Sequence, residues 1–292
     1  MSIDVLQDRI RKLKNPSVID FGVTPEHLPQ HLLDEEGSVL AAYCRFCREL
    51  MEGLKGLVAG VRFSFSTFAL MSPEGMLQLS AWLEDARAMG YYVLLDAPAI
   101  LSPWDADRTA SWCFRDGSKY PCDGLVMLPY IGSDAVKPFL PYCRDAGKDL
   151  YLIIRTANKS ASELQDLRTG TRLVHVAAAD MVKRYGEPIL GKMGYSRVCA
   201  MASASAPDSI KNLRSKYKSV FLLIDGLDYP SGNAKNCSYA FDKFGHGAAV
   251  CAGPSVTAAW LENETDGRDY VDQAVQAAER MKKNITRYIT IL

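Results

Sequence analysis

The sequence contains no apolar run of the roughly 18 residues that a membrane span requires, so we expect no membrane insertion. It also has no excess of either charge, because lysine plus arginine and aspartate plus glutamate both number 34. No global field therefore favours nucleic acid or an anionic membrane surface. The first ten residues follow an amphipathic pattern with acids and lack the apolar region of a signal peptide. These absences indicate a globular protein whose 292 residues can bury a large core.

Metal and redox motifs are missing as well. Cys44 and Cys47 form a C-x-x-C pair, but it lies inside a helical pattern and no second pair follows at zinc spacing. The four histidines show no ligand spacing, and Asp225 with Asp228 would be a poor cation site because two acids alone bind weakly. We therefore predict no metal and no cofactor. Eight scattered cysteines in mostly apolar surroundings favour reduced thiols and a cytoplasmic location.

Short apolar runs alternate with helical patterns along the whole chain. The alternation, the length and the lack of a low-complexity linker predict one (β/α)8 TIM barrel of class α/β, a single domain over 1–292 with its core at about 17–256. Helical patterns extend it at both termini. Eight runs are assigned to strands: Val18–Val23, Gly56–Phe65, Tyr91–Leu95, Gly124–Leu128, Leu150–Ile154, Arg197–Met201, Val220–Ile224 and Gly247–Cys251.

The structural alternative is a doubly wound open sheet. Such a sheet usually carries a glycine-rich turn after its first strand, whereas Gly22 stands there alone. In a barrel, function is found where the strands end. The third run ends on the carboxylate of Asp96, with Pro98 two residues on, which makes this strand end the first candidate site.

Two stretches in the middle of the chain resemble the orotidine 5'-phosphate decarboxylase family, in its longer bacterial form. Residues 128–140 read Leu-Pro-Tyr-Ile-Gly-Ser-Asp-Ala-Val-Lys-Pro-Phe-Leu, similar to the family's N-P-Y-x-G-x-D-x-x-x-P-F. Residues 155–158 read Arg-Thr-Ala-Asn, with Gln165 downstream, similar to its R-T-S-N and L-Q. The strand ends follow the family's order from about Ser17 to Val256. The resemblance implies a barrel that decarboxylates a pyrimidine nucleotide and dimerises over the barrel mouths.

The departures from the family lie at its catalytic positions. There, a lysine after strand two and an Asp-x-Lys-x-x-Asp run after strand three form an alternating charge array, whose central lysine protonates the carbanion. Here Arg62 stands at the first lysine and Asp96 at the first aspartate. Pro98 replaces the central lysine, and Leu101 replaces the aspartate that reaches across the dimer. Proline has no ionisable group, so the proton donor is missing and Asp96 and Arg62 are remnants of the array.

The resemblance also marks candidate ligand-binding residues. The family's phosphate site is a glycine-rich loop after strand seven and a Ser-Arg-Gly after strand eight. Gly226, Gly232 and Gly253 remain here, but the arginine does not. Backbone N–H groups would then have to hold a phosphate. The remaining candidates lie at the other strand ends: Thr24 at the family's first-strand aspartate, Ser64, Pro129, Tyr130, Arg155, Thr156, Asn158, Gln165 and Asp225.

Several of these residues have simpler interpretations. Asp96 either contacts a ligand or pairs with Arg62 as a structural ion pair, and Arg155 either binds substrate or bridges a carboxylate such as Asp96 or Asp225. Gln165 caps a loop as easily as it touches a nucleotide. We predict a catalytically impaired homologue that binds a pyrimidine nucleotide, another phosphorylated small molecule or a partner protein. The alternative is an active lyase, or altered chemistry at the same mouth.

Trp104 and Trp112 follow strand three and carry the prediction of a homodimer. They are either apolar anchors over the barrel mouth or helix residues packed on the barrel's own core.

Overall fold

The computed structural model describes residues 3–22 and 24–292 and contains a closed parallel barrel of eight strands. Each strand pairs with its neighbours in chain order, and the eighth closes on the first, Ser17 opposite Val250. The predicted fold class is confirmed. The barrel strands are β1 Ser17–Asp20, β2 Gly60–Ser64, β3 Tyr92–Asp96, β4 Gly124–Met127, β5 Asp149–Ile153, β6 Val198–Ser203, β7 Leu222–Asp225 and β8 Ala248–Ala252.

Helices surround the barrel, and short 3-10 turns interrupt the loops between them. No helix in the described ranges is long and apolar enough to cross a membrane. The helices are α1 Ile3–Leu13, α2 Gln30–Glu36, α3 Val39–Leu54, α4 Phe65–Met71, α5 Pro73–Ala88, α6 Pro103–Phe114, α7 Leu140–Asp145, α8 Val174–Gly186, α9 Pro207–Lys216, α10 Ala234–Ser238, α11 Pro254–Thr257, α12 Ala259–Glu262 and α13 Tyr270–Thr286.

The observed bounds of all eight strands differ from the expected ones by at least one residue, and the differences are largest in β1 and β2. β1 ends at Asp20, so Gly22 and Thr24 lie in the loop that follows, and Val23 lies outside the described residues. β2 spans Gly60–Ser64: it begins four residues later than expected, and it ends one residue earlier because the Ser64 side chain accepts the N–H of Thr67 and begins α4 there. A serine that accepts an N–H three residues on is the usual start of a helix. Both corrections bring polar side chains to the ends of the strands.

The core has two parts. The larger lies between the barrel wall and the outer helices. The smaller fills the lower barrel interior, where Tyr92 and Tyr151 from the strands, with Phe221 just before β7, meet Leu6 and Ile10 of α1. The N-terminal helix therefore closes the end of the barrel at which the strands begin. The opposite end, where the strands finish, stays open and is called the mouth below.

Candidate functional site

Arg62 is the centre of the mouth, projecting from β2 with 7% of its surface exposed. Its Nε donates to Oδ1 of Asp96 at 2.7 Å and its Nη2 donates to Oδ2 at 2.8 Å. This two-point geometry between guanidinium and carboxylate is the strongest form of an ion pair. β2 and β3 are adjacent strands, and the register places Ser64 opposite Asp96. The structure thus contains the ion pair that the sequence offered as one interpretation of Asp96.

The same guanidinium is shared with two further carboxylates. Nη1 of Arg62 lies 3.2 Å from Oδ2 of Asp20 and 3.4 Å from Oδ2 of Asp225. The thiol sulfur of Cys251 lies 3.8 Å from the same nitrogen. Closure of the barrel brings β1, β2, β3 and β7 together around this point. One cation therefore faces three aspartates, and the negative charge is in excess.

Burial and charge have opposite effects on these groups. Burial alone lowers the pKa of Arg62, but the nearby carboxylates, Asp96 foremost, outweigh it and hold that pKa well above its usual value. Burial raises the pKa of Asp20 to about 6, against the opposing effect of Arg62. The arginine therefore keeps its proton at any ordinary pH. Asp20 instead titrates close to neutrality.

Pro98 lies two residues after Asp96, the last residue of β3. In the ranges that the structure describes, the ion pairs of Asp96 are all with Arg62. The run after β3 contains no lysine, and the loss of the proton donor that this implies stays a prediction.

Arg155 is engaged away from the centre of the mouth. Its Nε and Nη2 donate to the two carboxylate oxygens of Asp166 at 3.1 and 3.0 Å, and its Nη1 donates to the carbonyl of Thr156. The expected partners, Asp96 and Asp225, were therefore wrong, although a bridging role was right. His175 completes the cluster with Nδ1 at 3.2 Å from Asp166. This histidine is buried on α8.

Gln165 also serves the loop after β5. Its side-chain oxygen accepts the N–H of Thr156 at 2.8 Å, and its side-chain nitrogen donates to the Thr156 hydroxyl at 2.9 Å. The Thr156 hydroxyl also lies 2.6 Å from Oδ1 of Asn158. These candidates therefore satisfy one another, as the loop-capping interpretation of Gln165 expects.

The remaining strand-end candidates are dispersed. Tyr130 donates its hydroxyl to the carbonyl of Ile154 at 2.8 Å, and Pro129 before it is buried. Ser64 caps α4. Thr24 is exposed and its N–H donates to Nδ1 of His27, within its own turn. None of these contacts joins the group around Arg62.

The glycine-rich loop after β7 lies where TIM barrels commonly bind phosphate. Gly226 has a φ of +85°, which favours glycine, and Gly232 packs against its backbone. The N–H of Gly253 donates to Oδ2 of Asp228 at 2.8 Å, and the N–H of Ser255 donates to Oδ1 at 2.9 Å. An internal carboxylate thus occupies the two backbone donors at the end of β8. Within the described residues no group of acids, histidines and cysteines is arranged to hold a metal ion.

The sequence did not single out Asp20 or Asp166, and it marked Asp228 only as half of a poor cation site with Asp225. Asp20 did leave a signal, because it is an acid inside the apolar run Val18–Phe21 and forms the tip of a strand. The partners of Asp166 and Asp228 left none, since each aspartate lies in a polar loop and finds its partner only in the folded chain.

No family model matches. The sequence is similar to curated orotidine 5'-phosphate decarboxylases. The enzyme of Rhodopirellula baltica is 29% identical over 249 residues, which cover 82% of each chain. The enzyme of Clostridium kluyveri is 25% identical, and the match covers 98% of each chain.

Solved structures show the same fold. The OMP decarboxylase of Leishmania donovani aligns with a TM-score of 0.72 and 20% identity, covering 97% of this chain and 100% of the other. The orotidine 5'-monophosphate decarboxylase of Plasmodium berghei aligns with a TM-score of 0.74 and 13% identity, covering 96% and 99%. Over most of its length this chain is similar in sequence to the orotidine 5'-phosphate decarboxylases, and it shares the fold of the solved ones.

Proposed function

We propose that this barrel is a ligand-binding homologue of the orotidine 5'-phosphate decarboxylases that does not carry out the decarboxylation. The observation that carries the proposal is the pairing of Asp96 with Arg62, next to Pro98 at the position of the family's proton-donating lysine. Loss of carbon dioxide leaves a carbanion that needs a proton at once. A guanidinium whose pKa is held well above its usual value is a poor donor.

A decarboxylation assay tests the first half of this proposal. Pure protein is incubated with orotidine 5'-phosphate beside an active decarboxylase as a positive control, and the product is separated and quantified. We expect no turnover above the uncatalysed background. Turnover that disappears in Asp96→Ala would contradict the proposal, because it would show that residues at the mouth catalyse the decarboxylation. Turnover that persists in Asp96→Ala would indicate a contaminating enzyme.

The ligand that we propose for the mouth is a pyrimidine nucleotide bound weakly at its phosphate. The two N–H groups at the end of β8 already donate to Asp228. A phosphate can use them only by displacing this carboxylate, and the two anions also repel each other. The base and ribose do not meet this competition. We therefore expect uridine and uridine 5'-phosphate to bind with similar affinity, with no gain from the phosphate.

Replacing Asp228 separates the phosphate from the rest of the ligand. Asp228→Ala removes the charge and frees both N–H groups, so uridine 5'-phosphate should bind about tenfold more tightly while uridine is unchanged. Asp208→Ala, which removes an 87% exposed carboxylate on α9, is the matched control and should change neither. Calorimetric titration measures both ligands. If Asp228→Ala strengthens uridine as much as its phosphate, competition at the phosphate is not the cause.

We also propose that a second copy of this chain covers the mouth. Leu101 and Trp104, directly after β3, are 81% and 76% exposed. Trp112 is 52% exposed and stacks with Arg115 at 4.0 Å, so neither tryptophan packs into the barrel's own core. Exposed aromatic side chains beside a binding site are typical of interfaces. Light scattering should give twice the chain mass, and Trp104→Asp should give the single mass. A strict monomer before substitution rules this partner out.

The cytoplasmic location is part of the proposal. Its support is that all eight cysteines are unpaired and seven of them are buried.

A further inference from the structure

A second cleft lies at the closed end of the barrel, opposite the mouth. It encloses about 480 Å³ between α1, the loop from α3 to β2, and the loop from α5 to β3. Its polar lining consists of Arg9, Lys12 and Lys55 against the single acid Asp8. Asp8 is already paired with Arg11 at 3.0 Å. In the ranges that the structure describes, no ion pair is formed by the other three side chains, so the cleft is cationic.

The apolar side of the cleft comes from the barrel wall. Val58, Met89 and Tyr91 line it, and Tyr91 is 2% exposed with its hydroxyl donating to the carbonyl of Met51 at 2.5 Å. The aromatic ring is therefore fixed in place. A cleft with one apolar wall and several placed polar groups is the usual form of a small-molecule site.

Arg9 supplies the most specific observation. Its Nε is buried and has no hydrogen-bond partner. Burial also lowers the pKa of Arg9, which means that its charge is incompletely compensated. The acid whose charge acts on it, Asp123, already accepts the N–H of Val93 at 2.9 Å and lies 3.7 Å from Nε of Arg87. A buried donor without a partner is costly, and an oxyanion in the cleft that Arg9 lines would compensate the charge of the same guanidinium.

Gly90 makes room for the guanidinium. A Cβ at this position would lie 3.1 Å from Nη2 of Arg9, tighter than an ordinary contact. The φ of Gly90 is +93°, so the turn itself also favours glycine. The backbone and the side chain of Arg9 are thus fitted to each other, and the guanidinium is held at the wall of the cleft.

We propose that this cleft binds a small organic oxyanion, a carboxylate or a phosphate ester, whose charge lies on Arg9 and Lys55 and whose apolar body packs against Met89 and Tyr91. Arginine favours this role because its fork of N–H groups matches the planar or tetrahedral oxygens of such anions. The site is separate from the mouth, so a negative result for this cleft would not contradict the proposed function, and the reverse also holds.

The test uses phenyl phosphate and benzoate as probes, because each combines an aromatic ring with an anionic group. Inorganic phosphate, which has the anion without the ring, and benzyl alcohol, which has the ring without the anion, are the controls. Calorimetric titration should give saturable binding of one of the two aromatic anions, and the preferred one identifies the ligand as a phosphate ester or a carboxylate. Inorganic phosphate and benzyl alcohol should each bind at least tenfold more weakly, because each lacks half of the interactions. Equal binding of benzyl alcohol would overturn the proposal.

Three variants locate the site. Arg9→Gln should weaken the preferred anion about tenfold and Lys55→Gln about threefold, as expected for the loss of a charge-assisted contact. Arg108→Gln is the control, because it makes the same change of charge at a 66% exposed residue of α6. Lys55 is exposed, so its variant folds even if Arg9→Gln does not. If the anion binds all four proteins alike, or none of them, the cleft is not the site.

Discussion

Replacing Asp20 with asparagine tests whether the mouth carries more negative charge than Arg62 can balance. Asparagine has nearly the shape of aspartate, and its carbonyl can still accept the N–H of Gly22, which now donates to Asp20 at 2.8 Å. Only the charge changes. Arg62 keeps its two-point contact with Asp96 and its longer contact with Asp225. Any change in stability therefore reports on the third carboxylate.

The size of the effect follows from the pKa of Asp20. Burial raises this pKa from 3.8 to about 6, so the folded protein holds the proton more tightly than the unfolded chain does. The stability that this proton provides is complete below pH 3.8 and is lost as the pH rises to about 6. The loss is at most roughly 3 kcal/mol. Because 24% of the side chain reaches solvent, we expect about 1–2 kcal/mol.

Urea unfolding followed by circular dichroism measures the free energy of unfolding of Asp20→Asn and of the unmodified protein at pH 4.5, 6 and 7.5. Asp20→Asn should unfold at a higher urea concentration than the unmodified protein at pH 7.5, and the difference at pH 4.5 should be about a third of that. Asp96→Asn is the matched control, and it should be less stable by about 2–4 kcal/mol at pH 7.5 because it breaks the buried pair. If Asp20→Asn is also less stable at pH 7.5, Asp20 is a favourable partner of Arg62 and the charge is not in excess.

Two further predictions concern buried polar groups elsewhere. Burial raises the pKa of Asp149 to about 8, so the gain in melting temperature of Asp149→Asn over the unmodified protein should grow between pH 4 and pH 8 and then level off. A gain that does not depend on pH would exclude ionisation as its cause. Arg155→Met should lower the free energy of unfolding by about 2–4 kcal/mol, measured with urea, because it leaves Asp166 without its two-point partner. The exposed substitution Arg172→Met should cost less than about 1 kcal/mol.

The fold could be read from the sequence because its strongest signals are local. Each barrel strand is a short apolar run between helical patterns, and both properties belong to neighbouring residues. The errors lie where two local signals compete. Gly56–Phe65 reads as one strand because it is apolar and β-branched in part, but Ser64 can start a helix as well, and the helix prevails at that point.

The contacts of the site were harder to predict from the sequence, because most of them join residues that are far apart in the chain. Arg62 and Asp96 lie on adjacent strands, so their pairing follows from the barrel order. The contact between Arg62 and Asp225 joins residues 163 positions apart and requires the barrel to close. Arg155 shows the opposite failure, because its partner Asp166 is only 11 residues away, in a loop whose path has no sequence signature. Spacing alone could not choose between these carboxylates.

Two aspartates at the mouth, Asp20 beside Arg62 and Asp228 at the end of β8, lie close to Gly253. A Cβ on Gly253 would lie 3.6 Å from Cβ of Asp20 and 3.7 Å from Oδ2 of Asp228, so this glycine separates the excess carboxylate near Arg62 from the one that occupies the backbone donors of β8. The mouth therefore presents an aspartate on each side of Gly253. The packed core lies below and outside the mouth, so the barrel fold does not depend on these two carboxylates. The charges of the mouth could therefore change while the barrel stayed intact.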